Sequence, residues 1–484
     1  MKILVVLLVS AALCGCLSAR AQENVQQPDT VSAPKLISLE QALQIALSEN
    51  ASVKVADMEI ERTGYARKGT YAALFPQIDG NASYQRTIEK QVMYMDFDMG
   101  DMGGAGGSGS GDGSGSTTTG GGIEVGRWNT WSAGISASMP LVNAQLWKSL
   151  KISDQDVELA VEAARSSRLE MVNQVKQAYF ACLLAKEAFE VYKSVYDNAV
   201  ENYKLTEMKY NAKRASELEL TRAKTTVANA VPDVYNAESS VILSLWQLKA
   251  VMGVDLEENI DVSEKLEDYA NRMLGDIAAT DSLSLENNST MRQLAIQAEQ
   301  LANTVKMQQY ANIPTLSLSF AYNYNAMTND FNFKEYRWSP YSYVGLTLQI
   351  PIFAGGKRHN AIRQAKVQAA ELDVQRADTE RQLKISIRQN LNQMETAMKS
   401  YGASQTALES ADKAYRITAK SYDVGSSTLT DLNDAQLALT QSQLAVSQAI
   451  YDFVIAKSNL ESTIGADFID DEGNVQLNNT YENE

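Results

Sequence analysis

Four stretches of the chain alternate apolar and polar residues with the period of two that a β-strand imposes. In the first, Ile78, Gly80, Ala82 and Tyr84 oppose Gln77, Asp79, Asn81 and Ser83. In the second, Trp131, Ala133, Ile135, Ala137 and Met139 oppose Ser132, Gly134, Ser136 and Ser138. In the third, Leu316, Leu318, Phe320, Tyr322 and Tyr324 oppose Thr315, Ser317, Ser319 and Asn323. In the fourth, Val344, Leu346, Leu348 and Ile350 oppose Gly345, Thr347 and Gln349. Strands are thus predicted at 75–86, 128–141, 314–325 and 341–351. Elsewhere the pattern is helical. Long helices are predicted from Lys148 to Lys209 and from Asn360 to Ser421, each about 93 Å long at 1.5 Å per residue. The helices that return from them carry a heptad: Leu432, Leu439, Val446, Phe453 and Leu460 in one, Leu220, Val227, Val234, Val241 and Leu248 in the other. Small residues sit three positions on, at Ala435, Ser442, Ala449 and Ala456, and at Ala223, Ala230, Ala237 and Ser244. A seam of one large and one small position suits a close coiled coil; a plain helical-bundle core satisfies the same spacing. Pro232 interrupts the first seam and is expected to kink its helix.

The chain repeats itself at long period. Tyr210 pairs with Tyr422, and Gly253 with Gly465, both 212 residues apart. Pro140 pairs with Pro351 at 211, but Pro76 pairs with Pro314 at 238. The first half therefore carries 238 − 211 = 27 extra residues between its two prolines. Most of the excess is visible as the Gly/Ser-rich run 100–122, which reads as a flexible loop. Each half reads as helix, strand, loop, strand, long helix, turn, helix. The expected divisions are a signal at 1–21, a first repeat at 22–255, an equatorial linker at 256–280, a second repeat at 281–466 and a tail at 467–484.

The first residues combine a Lys, an apolar run and Ala19-Arg20-Ala21, the pattern of a secretory signal. Cleavage after Ala21 and lipid attachment at Cys16 are the two readings; both export the chain. No other run is apolar over the ~18 residues a membrane helix needs, so insertion into a membrane requires strands. The net charge of −16 argues against a nucleic-acid partner. Past the signal, Cys182 and His359 are the sole cysteine and histidine. An intrachain disulfide is excluded, a His-based triad or multi-His metal site has little to build on, and no phosphate-binding loop is present. Cys182 reads as a core residue. No enzyme activity and no cofactor are expected. Met93, Met95, Met99 and Met102 alternate with Asp96, Asp98 and Asp101; thioethers suit soft metal ions, but a mobile surface loop is the plainer reading.

A soluble sheet with one wet face shows the same alternation as a membrane strand. Three features favour lipid. The strands are about 9–11 residues, enough to cross a bilayer when tilted. Aromatic residues gather at the loop ends, at Tyr84, Trp128, Trp131, Tyr322, Tyr324, Trp338 and Tyr341, like an interfacial belt. The second face is polar, as a wet lumen requires. Four strands cannot close a barrel, and open edges are not tolerated in lipid. Two copies supply eight strands with a filled interior, three supply twelve with a lumen.

The plan resembles the TolC family of outer-membrane channel proteins. The resemblance rests on "SLEQALQIALSEN", on the paired "LFPQIDGNASY" and "NIPTLSLSFAY", on "IPIFAGGKRHNAI" and on "YDVGSSTLTDLNDAQLAL". It implies an α+β membrane protein, internally duplicated, with long coiled-coil hairpins and four transmembrane strands per chain. It further implies a homotrimer in outer-membrane lipid with a 12-stranded barrel above an α-helical tunnel. The implied partners are a periplasmic adaptor and an inner-membrane pump of RND or ABC type. An exit duct for protein secretion and a pore-less coiled-coil scaffold are the alternatives.

Gly425 marks the end of the second long helix, where positive φ is needed, and Ser426 or Ser427 is expected to cap the next one. The other hairpin has Tyr210 and, in place of the glycine, Lys213, so its turn is expected to differ. Asp431 and Asp434 lie three apart at the new helix's start and share a face. Helix-start electrostatics explains them without any pore. The resemblance instead implies an acidic ring at the tunnel entrance, within which like charges raise some carboxyl pKa values. It also implies a gate: Ser427 stands where relatives with a closed gate have an arginine, Glu219 is the acidic partner, and Tyr422 is expected to bond to Glu219.

Overall fold

The computed structural model describes residues 34–93, 123–270, 273 and 284–465. The signal with Cys14 and Cys16, the Met/Asp and Gly-rich run from 94 to 122, most of the linker after 270 and the tail 467–484 lie outside the described residues.

The chain opens with a short strand β1 (Lys35–Ile37) and two helices, α1 (Leu39–Glu49) and α2 (Ala51–Ala72). Strand β2 (Gln77–Arg86) follows, then a ribbon of β3 (Gln91–Met93) and β4 (Ile123–Val125), then β5 (Asn129–Val142). The first hairpin is α3 (Ala144–Asn211) and α4 (Glu217–Met252). After β6 (Ile260–Val262) and a turn of helix, α5 (Glu267–Ala270), the plan repeats. Helix α6 (Ser289–Tyr310) leads to β7 (Thr315–Thr328) and β8 (Ser339–Gln349), then to α7 (Lys357–Val424) and α8 (Leu429–Ile464).

Each long helix has 68 residues, about 100 Å of rod. Asn143 starts α3 by accepting from the Leu146 amide at 3.1 Å. Helix α4 runs through Pro232 as one uninterrupted element. In the seam of α8, Leu432, Leu439, Phe453 and Leu460 are buried, with Ala449 and Ala456 beside them. In the seam of α4 only the small positions Ala223, Ala230 and Ala237 join Leu248 in burial; Val227, Val234 and Val241 stay half-exposed. The difference follows from position: α8 lies between α7 and α3, whereas α4 packs mainly on α3, with α1 and α2 meeting it only at its end and α8 only at the tip.

Helix contacts and strand order agree on one arrangement. Around the molecule the columns run α7, then α8 with α6, then α3, then α4 with α2. The main sheet is antiparallel in the order β2–β5–β7–β8, and each strand adjoins its own column in sequence: β2 follows α2, β5 enters α3, β7 follows α6 and β8 enters α7. Among the described residues the chain is one wall with a free edge on either side, β2 with α2 and α4, and β8 with α7.

Two short helices make up a column by meeting end to end, and one asparagine joins each pair. Asn50 caps α2 by accepting from Ser52 N at 2.7 Å, and its Nδ2 donates to Val251 O at the end of α4, also at 2.7 Å. Asn288 caps α6 from Met291 N at 2.9 Å and donates to Thr463 O at the end of α8 at 2.6 Å. The two asparagines are 238 apart, the offset of the proline pair Pro76/Pro314. Each meets a glycine in left-handed conformation, Gly253 at φ 76° and Gly465 at φ 70°. A Cβ on either would come within 2.8 Å and 2.3 Å of the carbonyl oxygens of Glu49 and Asn287. Arg165 closes the second junction, donating to Asn287 O at 3.0 Å and Gly465 O at 3.1 Å.

The largest core lies at these junctions. Tyr179, Leu248, Met252, Phe453 and Ile37 are almost wholly buried there. The Tyr179 hydroxyl donates to Ile37 O at 3.2 Å, and burial pushes its pKa up. Cys182 is in the same core, its thiol pKa also raised by burial, which fits a packing role. Lys176 of α3 holds Glu461 of α8 at 2.8 Å.

Candidate functional site: the hairpin tips

Both hairpins turn in the same way, contrary to the expectation from Lys213. At the first, Lys213 N donates to Tyr210 O at 2.8 Å and Arg214 N to Lys209 O at 2.7 Å. At the second, Gly425 N donates to Tyr422 O at 3.1 Å and Ser426 N to Ser421 O at 2.8 Å. These are matching pairs of carbonyl-satisfying bonds at a helix end. Gly425 has φ 82°, and Lys213 adopts φ 59° in its place, with the unfavourable Cβ contact that a left-handed side chain carries. The turn is dictated by backbone hydrogen bonds, so it survives without the glycine.

The next helix is capped one or two residues later than Ser426 or Ser427 would place it. Thr428 Oγ1 accepts from Asp431 N at 3.2 Å, and the Asp431 carboxylate accepts from Thr428 N at 2.9 Å. This reciprocal capping box recurs at the first tip: Ser216 Oγ accepts from Glu219 N at 3.2 Å, and Glu219 accepts from Ser216 N at 2.8 Å. Glu219 and Asp431 are 212 apart and are thus the same position in the two repeats. Ser427 is half-buried and donates to Asp431 at 3.2 Å. The signal for both caps was present in the sequence as Ser216-x-x-Glu219 and Thr428-x-x-Asp431.

These bonds fix the local electrostatics of Asp431. Donation from the Thr428 hydroxyl, then the Thr428 amide, then the Ser427 hydroxyl holds its carboxyl below the usual range. Any rise from like charges in a ring must work against that pull. Asp434 is exposed one turn on. Its equivalent in the first repeat, 212 earlier, is Arg222, so the duplication does not double that acid.

Tyr422 meets Thr206 rather than Glu219. Its ring is buried, and its hydroxyl lies 2.7 Å from Thr206 Oγ1 of α3. Lys209 adds a second tie that sequence reasoning missed. Its Nζ donates to Tyr422 O at 2.6 Å and sits 4.2 Å from the Tyr422 ring centroid. A cation at the end of α7 complements the helix dipole and the ring face together. Leu429, Leu432 and Ala223 complete a small core. Asn433 donates to Thr226 Oγ1 at 3.3 Å, so α8 touches α4 as well as α3 here. Within one chain the tips are firmly joined, and Glu219 takes no part in that junction.

At the far end of the wall, the register places Tyr84, Trp131, Tyr322 and Tyr324 on one face with Ile78, Phe320, Val344 and Leu346. Ile78, Val344 and Leu346 are 66–71% exposed. Tyr84 stacks on Trp131 with centroids 4.3 Å apart. Tyr341 departs from the expected belt. It pairs with Asn323, and the period of two then puts it on the polar face with Ser319, Gly345 and Thr347. Asn323 covers Gly134 on that face, where a Cβ would overlap its side chain. No helix among the described residues is long and apolar enough to cross a membrane.

Comparison with known proteins agrees with this arrangement. The sequence profile of the family described as outer membrane efflux protein matches residues 42–254 and 282–466. Outer membrane protein TolC of Vibrio cholerae is 23% identical over 338 residues, 69% of this chain and 76% of that one. Alkaline protease secretion protein AprF of Pseudomonas aeruginosa is 25% identical over 367 residues, 75% of this chain and 74% of that one. The crystal structure of the Campylobacter jejuni CmeC outer membrane channel shares the fold, with a TM-score of 0.66 at 19% identity over 88% of this chain and 85% of that one. The family profile spans both repeats and most of the chain: the protein belongs to the outer membrane efflux protein family and resides in the outer membrane.

Proposed function

We propose that three copies close into a channel, with a 12-stranded barrel in the outer membrane and a helical tunnel reaching into the periplasm. It conducts passively, as the exit duct of an efflux system fed by a periplasmic adaptor and an inner-membrane pump of RND or ABC type. The observation that carries this reading is the four-stranded sheet. It exposes an apolar face and leaves the outer edges of β2 and β8 unpaired among the described residues, and neither is tolerated in water or lipid unless further strands complete the ring. The helical wall has its free edges in the same columns, so one rotation completes both layers. The polar face then lines the lumen, and the hairpin tips form the entrance. Asp434 and the capped Asp431 supply its acidic lining, and Tyr422, Glu219 and Ser427 lie beside it. Reconstituted protein should give ion-conducting pores in planar bilayers, and pure protein that inserts without conducting would leave the pore-less scaffold.

The similarity to AprF, whose name describes alkaline protease secretion, supports a second reading as a protein-secretion duct. The same tube serves both, and the pump decides. Transport by cells paired with each pump class, with a small dye and with an exported polypeptide, separates them.

A further inference from the structure

The loop end of the sheet, opposite the hairpin tips, holds a cavity of about 610 Å³. Its lining includes Arg127, just before β5, and Arg337, just before β8. Asn325, Ser339 and Tyr341 add polar groups from the strands, and Glu335 is the one carboxylate. By register Asn325, Ser339 and Tyr341 belong to the polar face.

Charge makes this place unusual. Acids outnumber bases 59 to 43 along the chain, yet here two guanidiniums meet one carboxylate. Both arginines are exposed, and neither has an ion-pair partner among the described residues. Elsewhere the wall pairs many of its cations, as in Arg67–Asp154, Arg168–Asp57 and Lys186–Asp261. Two guanidiniums without an ion-pair partner among the described residues line one concavity beside an amide and two hydroxyls, the donor chemistry that phosphate and sulfate take, since arginine grips them through paired N–H donors. A pair of arginines with no ligand would repel each other; a multivalent anion removes that repulsion.

We propose that Arg127 and Arg337 form a binding site for a multivalent oxyanion of the phosphate or sulfate class. The placement of the site inside the channel's exit mouth rests on the channel reading above; the site itself lies within one chain. In the trimer three such sites ring the mouth, at the opposite end from the acidic tips. The anion's source is either a solute in the lumen or the phosphomonoester of a lipid headgroup at the rim. The polar face favours the solute.

Isothermal titration of the full-length protein in neutral detergent with inorganic pyrophosphate tests the site without requiring conduction. Saturable binding is expected at one anion per chain. R127Q/R337Q should weaken it at least about tenfold, and E335Q should tighten it several-fold. Titration in phosphatidylcholine nanodiscs and again in nanodiscs containing phosphatidic acid tells the sources apart: retained affinity in the phosphomonoester discs assigns a solute site, and lost affinity assigns lipid phosphate. No binding at millimolar pyrophosphate, or equal binding by R127Q/R337Q, overturns the proposal. A protein that binds pyrophosphate but never conducts would instead overturn the channel reading.

Discussion

Single residues at helix ends decide much of this structure. Asn50 and Asn288 each accept as a cap and donate to the carbonyl end of another helix, a double duty that needs an amide. Asn50→Asp and Asn288→Asp keep the cap and lose the donor, leaving a carboxylate against a helix C-terminus. Each should cost about 1–3 kcal/mol, read as a lowered midpoint in denaturant unfolding. If both aspartate variants match the parent, the columns are not joined by these side chains. Lys213 makes the opposite prediction. Its left-handed backbone favours glycine, so Lys213→Gly should stabilise by roughly 0.5–1 kcal/mol, whereas Gly425→Ala should destabilise by a similar amount. Asp431 adds a pH dependence with a definite sign. Its folded pKa is lowered by the Thr428 and Ser427 donors. Its contribution is therefore fully present above the unfolded carboxyl value and is lost as pH falls through the lower folded value. Asp431→Asn should be less stable than the parent at pH 6, and the two should converge near pH 2. A gap that persists undiminished in acid would show that the carboxylate charge is not what stabilises the cap.

At the scale of elements, period and duplication carried most of the information. The strands and long helices lie where alternation and heptads put them, because lipid-type alternation and coiled-coil packing both write strict periods into a sequence. The heptad seam predicts its own test. Leu439 is buried where α8 meets its neighbours, and Leu439→Ala should cost about 2–4 kcal/mol while leaving the exposed tip charges unchanged. What the sequence obscured were contacts across the repeats. Nothing in local pattern ties Thr206 or Lys209 to Tyr422, since their partner lies more than two hundred residues away, and the expected Tyr422–Glu219 bond ignored the cap that already occupies Glu219. Tyr341 was misplaced for a different reason: its aromatic character suggested the belt, while its odd spacing from Val344 set it on the other face. The caps at Ser216 and Thr428 are legible as Ser/Thr-x-x-acid patterns, although Ser426 and Ser427, nearer the turn, are cap residue types too.

For the whole molecule, sheet and helices leave the same columns free at their edges, and in the proposed trimer each chain supplies one third of the ring. Charge at the tips should then act on permeant ions. Asp434→Asn removes an exposed charge without touching the Thr428–Asp431 cap, so it should reduce cation preference and block by multivalent cations in single-channel recordings while trimer and fold remain. Unchanged selectivity would return Asp434 to an ordinary solvated face. The central claim is closure by three, and the most direct measurement is the mass of the detergent-extracted full-length protein by light scattering corrected for bound detergent. The mass of three chains is expected, stable until heating releases monomer. A folded monomer that stays soluble without detergent would contradict it, because a single wall cannot leave its apolar sheet face and both strand edges open to water.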